Sequence, residues 1–203
     1  MRSRGLSNAN VLGCYAGDLT LVNPGRPVLY LGFGGVLHVG AGHMTRRGSI
    51  VLDTGRQPFE FAPLLCDILR PFPLVQLVLS CGWIDTFGET VTQNFLPAEL
   101  RERVVGTTLS FDNGLQHLPE GHRRVLRVLR HAHSARASRW LALDVCVSAA
   151  PVAFWQHFVV TRAEVALGST ASQQQLSTWL KENETGQPSK VTDSTAKTPK
   201  AED

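Results

Sequence analysis

"VLYLGFGGVLH", residues 28–38, sets the reading of the whole chain. Val28, Leu29, Tyr30 and Leu31 form a continuous apolar, β-prone run between Pro27 and Gly32. Such a run fits a central parallel strand buried on both faces. The predicted strand spans 27–33, and the glycines at 32, 34 and 35 place a turn at its carboxyl end. Open α/β sheets bind ligands outside the carboxyl ends of their strands. The stretch therefore has the form of an active-site floor, with glycine where reactive side chains would stand.

Outward from this strand, predicted strands and helices alternate. "HVGAGHMTRRGSIVLDTGRQP" mixes glycine with short β-prone runs and reads as a hairpin or flap beyond the strand end. "FEFAPLLCDILRPF" (59–72) spaces Phe61, Leu64, Leu65, Ile68 and Leu69 along a helix that Pro71 and Pro73 stop. "VQLVLSCGW" (75–83) predicts a second buried strand ending at Ser80, with a turn after it. A short helix is expected over 96–104 and a third strand over 104–108. "PEGHRRVLRVLRHAH" (119–133) predicts a helix whose apolar face is Val125, Leu126, Val128 and Leu129. "RWLALDVCV" (139–147) predicts a fourth strand with Asp144 at its carboxyl end, and 155–161 a fifth. A last helix is expected over 169–182, capped by Ser169 or Thr170. This alternation implies a parallel sheet with helices on both faces. Residues 32–35, 80–83, Thr107, Thr108 and Asp144 then meet at one end of it.

The composition suits one domain with tails. Of 203 residues, 43% are hydrophobic and 18% charged, enough apolar mass for a core. Residues 1–26 read as an irregular extension, 27–182 as the folded domain, and 183–203 as a disordered polar tail. The formal net charge of +3 is too mild to argue by itself for nucleic acid or a membrane. No stretch has the apolar length of a membrane span, and none near the start reads as a signal peptide. Cys14, Cys66, Cys81 and Cys146 show no zinc-like spacing, which favours a reducing, cytoplasmic setting.

In this order, "LYLGFGGVLH", "LVLSCGW" and "RWLALD" resemble the haloacid dehalogenase (HAD) superfamily. More narrowly, they resemble the small bacterial HAD-like domains also found attached to RNA-repair proteins. The resemblance runs over roughly residues 27 to 180. It implies a HAD-like Rossmannoid three-layer α/β sandwich, a mainly parallel central sheet, a small flap after the first strand and little or no cap domain.

Family members carry Asp-Phe-Asp-Gly-Val-Leu-His where this chain has Gly32-Phe33-Gly34-Gly35-Val36-Leu37-His38. There the first aspartate accepts a phosphoryl group, the second is general acid and base, and both help to hold magnesium. Glycine can form no aspartyl-phosphate and ligates metal only through its carbonyl. Ser80 matches the family's phosphate-binding hydroxyl, and Trp83 a tryptophan usual just after it. Asp144 matches an acidic metal-shell position, but Val145 stands where a second acidic residue is common. The third motif calls for a basic residue, for which Arg123 and Arg124 are the candidates.

The candidate ligand or phosphate site is thus Gly34, Gly35, Ser80, Cys81, Arg123 and Arg124, with Asp144 as the metal-binding candidate. No catalytic residue is assigned. The expected function is that of a catalytically inactive HAD-like protein, a pseudo-phosphohydrolase that binds a protein partner or a phosphorylated ligand. A magnesium-dependent phosphohydrolase is the alternative.

Other features have competing readings. "GFGG" is either a structural turn or a backbone cradle for an anion. Cys81 lies at the right sheet end for a nucleophile but has no identifiable base beside it. His131 and His133 are two apart, not the four that a helical metal pair needs. His38 either orients the loop or packs. Arg123, Arg127 and Arg130 form a stripe, continued by Arg136 and Arg139. A solvated helix face is the expectation for it, and association with nucleic acid the weaker alternative.

Overall fold

A computed structural model describes residues 22–46 and 48–184. Its centre is a five-stranded sheet in the order β5-β4-β1-β6-β7, and every pairing in it is parallel. The strands are β1 (Val28–Leu31), β4 (Gln76–Leu79), β5 (Val104–Thr107), β6 (Trp140–Asp144) and β7 (Phe158–Val160). β2 (Gly42–Met44) and β3 (Ile50–Leu52) form a separate antiparallel hairpin, the expected flap.

The apolar run of β1 puts it in the middle. All four of its residues are fully buried, because β4 and β6 flank it and helices cover both faces. Alternation along the strands sorts side chains between two layers. Leu29, Leu31, Leu77, Leu79, Leu141 and Leu143 face α1 (Ala62–Leu69) and α6 (Thr170–Glu184), packing with Leu65, Leu69, Leu176 and Leu180. Val28, Tyr30, Val78, Trp140 and Ala142 face α5 (Glu120–Ser134) and its Val125, Val128 and Ala132. This is the three-layer sandwich expected from the sequence.

The register positions the site. Leu31 is level with Leu79 on one side and with Leu143 on the other. The next residues, Gly32, Ser80 and Asp144, therefore stand level at the carboxyl rim of the sheet, tied by Gly32 N–H to Leu143 O and Ser80 N–H to Leu31 O.

Several element boundaries differ from expectation. β4 ends at Leu79, and the chain turns into α2 (Gly82–Phe87) and then α3 (Glu89–Asn94), where only a turn was expected. These helices are six residues each, too short to show an amphipathic period. The helix expected over 96–104 shrinks to α4 (Ala98–Arg101). β6 stops at Asp144, so Val145 to Val147 lie outside the sheet. Pro151 introduces a 3-10 segment (Val152–His157), which delays β7 to Phe158. β7 is an edge strand, and Val152, Phe154, Trp155 and Val160 stand exposed along it. Within the expected extension, residues 1–21 lie outside the described residues, whereas 22–26 form a turn that leads into β1. Of the expected tail, Asn183 and Glu184 are the last residues of α6, and 185–203 lie outside the described residues.

From Arg123 to Arg130 the arginine stripe turns inward, which corrects the expectation of a solvated face there. Arg127 is 1% exposed and bonds Asp85 at 2.6 and 2.9 Å and Asp112 at 2.5 Å. Arg123 lies 3.7 Å from the same two carboxylates, and Arg130 donates to the carbonyls of Phe111 and Asn113. The run of basic residues fastens α5 to α2 and to the loop after β5. Arg123, Arg127 and Arg130 are engaged within the fold rather than presented as a free cationic face.

The sheet also buries a titratable pair. Tyr30 Oη and His131 Nδ1 lie 2.8 Å apart, and the Phe111 and Tyr30 rings meet the imidazole edge-on. Burial lowers the His131 pKa to about 4. An unfolded histidine titrates near ~6.5, so between these values the unfolded chain binds more protons than the folded one. Stability is therefore intact above that window and is lost as pH falls through it, by on the order of 3 kcal/mol for this group. Urea midpoints at pH 7 and pH 4.5 should fall steeply for the native chain and less for His131→Gln.

Candidate functional site

The loop after β1 folds over the sheet end. Gly32 continues the strand, and Val36 and Leu37 N–H both bond Phe33 O. The turn closes through Gly35 N–H to His38 O at 2.8 Å, while Thr161 Oγ1 donates to Gly35 O at 2.6 Å. Gly35 takes φ +70°, and a Cβ there would lie 2.3 Å from Val145 Cγ1. Only glycine meets both constraints. His38 is fully buried against Phe59 and Trp83, so it packs beneath the loop.

A cavity of about 510 Å³ opens above this loop. Its walls include Gly32, Gly34, Gly35, Cys81, Trp83, Glu120, Arg124 and Asp144. The flap closes one side, where Gly42 comes so near the Trp83 ring that a Cβ would sit 2.3 Å from Cζ2. The structure thus brings together Gly34, Gly35, Cys81, Arg124 and Asp144 of the candidate residues. Ser80 and Arg123 do not join them. The buried Ser80 hydroxyl accepts from Thr108 Oγ1 at 3.3 Å, and Arg123 faces Asp85 and Asp112.

Arg124 dominates the chemistry of the cavity. It donates from Nε and Nη2 to the two oxygens of Asp144, at 3.0 and 2.9 Å, and from Nη1 to Glu120 Oε1 at 2.7 Å. Asp144 Oδ1 also accepts from Cys146 N–H at 3.1 Å. Burial alone would lower the Arg124 pKa, but the bonds to Asp144 and Glu120 more than offset it and raise it above the ordinary value. This is the bidentate, charge-assisted geometry in which guanidinium–carboxylate pairs are strongest. The sequence reading passed over Glu120, although its place four residues before Arg124 on one helix was a legible signal.

Gly32 and Gly34 leave space beside this pair. A Cβ on Gly34 would meet nothing closer than Gly40 O at 3.7 Å. One on Gly32 would lie 3.0 Å from Leu143 O and 3.5 Å from Asp144 Oδ2, so a side chain there needs a shift of a few tenths of an ångström. Burial pushes the Cys81 thiol up to about 12, which leaves it an inert thiol near neutral pH.

Magnesium, which the family resemblance implies, does not fit these residues. Asp144 offers its oxygens to three N–H donors, and the neighbouring positions are glycine and Val145. Among the described residues, no group of three or more His, Cys, Asp or Glu side chains could hold a metal ion. No helix among them is long and apolar enough to cross a membrane.

A parallel three-layer sandwich with its pocket at the carboxyl ends of the strands is consistent with a HAD-like, Rossmannoid fold. The family model for the HAD domain in Swiss Army Knife RNA repair proteins matches residues 28–172, and the chain belongs to that family. No curated protein and no solved structure matches the chain.

The loop geometry separates its glycines by role. Gly35→Ala should cost about 2 kcal/mol or more, from positive-φ strain and contact with Val145. Gly34→Ala should stay within about 0.5 kcal/mol of the native chain. Urea denaturation of both variants measures the difference.

Proposed function

We propose that this chain is a non-catalytic HAD-like domain, a pseudo-phosphohydrolase that acts by binding. The observation that carries the reading is the pairing of two glycines with one neutralised carboxylate. Positions 32 and 34 bear no acceptor or acid, and Asp144 is engaged by Arg124. Phosphoryl transfer to an enzyme needs a nucleophile and a group to protonate the leaving oxygen.

A protein partner fits better than a phosphorylated ligand. The cationic group in the cavity wall already bonds two carboxylates, and the Ser80 hydroxyl accepts from Thr108. The exposed Val152, Phe154, Trp155 and Val160 along the β7 edge supply apolar surface of the kind partners cover. The family is described from RNA repair proteins, so a component of RNA repair is the first partner class to test.

The reading is tested by hydrolysis of a generic phosphate ester with magnesium. The native chain should show no turnover above a mock preparation. Turnover by the native chain that chelator abolishes would contradict the proposal.

A further inference from the structure

We infer that Arg124 is the resident cation of this site: its guanidinium holds Asp144 and Glu120 in place of a divalent metal and closes the cavity to one. This rests on the non-catalytic reading of the site and adds how the site persists without an ion.

The argument begins with the donor set. Among the residues lining the cavity, the charged ones are Glu120, Arg124 and Asp144. Two carboxylates and one guanidinium leave a net charge of −1. The two glycines stand where the family pattern has two aspartates, so the substitutions remove two negative charges. A magnesium ion carries two positive ones, so losing the aspartate pair together with the metal leaves the net charge of the cavity unchanged. A divalent ion added to the present residues would instead share Asp144 with a guanidinium already in contact with both oxygens. Magnesium keeps several of its waters and binds through one or two carboxylates, and both carboxylates of this cavity are engaged by Arg124.

The neighbouring arginine cannot take over this role. Arg123, one residue earlier on α5, turns to Asp85 and Asp112 and is absent from the cavity wall. Arg124 is largely buried, with 13% of its side chain exposed, and its three bonds use Nε, Nη1 and Nη2 together. A planar fork suits that arrangement, whereas an ammonium group cannot reproduce it. Because both carboxylates converge on one guanidinium, removing it leaves two acids facing the same space, and that vacated space becomes a cation site.

The experiment is thermal unfolding in chelator, in millimolar magnesium chloride, and in sodium chloride of equal ionic strength. The native chain should show no magnesium shift beyond the sodium control. Arg124→Gln should melt lower in chelator and regain about 4 °C when magnesium is roughly tenfold above its dissociation constant. Arg124→Gln/Asp144→Asn should lose that recovery. Saturable magnesium stabilisation of the native chain would overturn the inference, and so would a folded Arg124→Gln that gains nothing.

If Arg124→Gln does not fold, terbium luminescence sensitised by Trp83 decides the matter on the native chain. The absence of any emission that excess magnesium displaces supports the inference, and displaceable emission overturns it. The two levels remain separable. Metal-free turnover would defeat the non-catalytic reading alone, and magnesium binding without turnover would defeat the resident-cation inference alone.

Discussion

The bidentate contact between Arg124 and Asp144 joins α5 to the carboxyl end of β6, directly beside the glycine loop that follows β1. Breaking a buried pair by removing one partner typically costs about 3–5 kcal/mol, because the other charge is left stranded. The contact therefore constrains the site twice. It fixes the helix over the sheet end, and it uses the lone-pair positions that a metal would need. Glu120 extends the same arrangement by one turn of helix, and the glycines opposite leave room without adding charge.

The remainder of the fold supplies the platform. A central strand buried on both faces, with partners in level register, delivers Gly32, Ser80 and Asp144 to one rim. The hydrophobic frame of a HAD-like fold is complete although glycine stands at positions 32 and 34, where the family pattern has its two aspartates. Such separation is possible because core packing and site chemistry rest on different residues: Leu31, Leu79 and Leu143 hold the sheet whether or not their neighbours carry carboxylates.

The sheet and its order of elements were legible from the sequence for a physical reason. Fully buried parallel strands such as Val28–Leu31 and the Trp140–Leu143 part of β6 are continuous apolar runs, short and bounded by proline, glycine or charged residues. The helices α2 and α3 were not legible, since six residues show no period; Trp83 and Ile84 bury α2, and α3 buries Thr92. The arginine stripe was read correctly as a stripe and wrongly as a solvated surface. Helical spacing locates a face but does not say what covers it. The partners of Arg127 are Asp85 and Asp112, on other elements, and only the tertiary fold brings them there. The site was half legible for the same reason. The glycines announced what was absent, whereas the clamp on Asp144 depended on which of two adjacent arginines faced the cavity.

The most direct test is a crystal structure of the native chain grown in millimolar magnesium. The account predicts Arg124 in two-pronged contact with Asp144, bonded also to Glu120, with no ion between them. A cation at the ~2.1 Å distance of a magnesium–oxygen bond from Asp144, with Arg124 swung away, would contradict it.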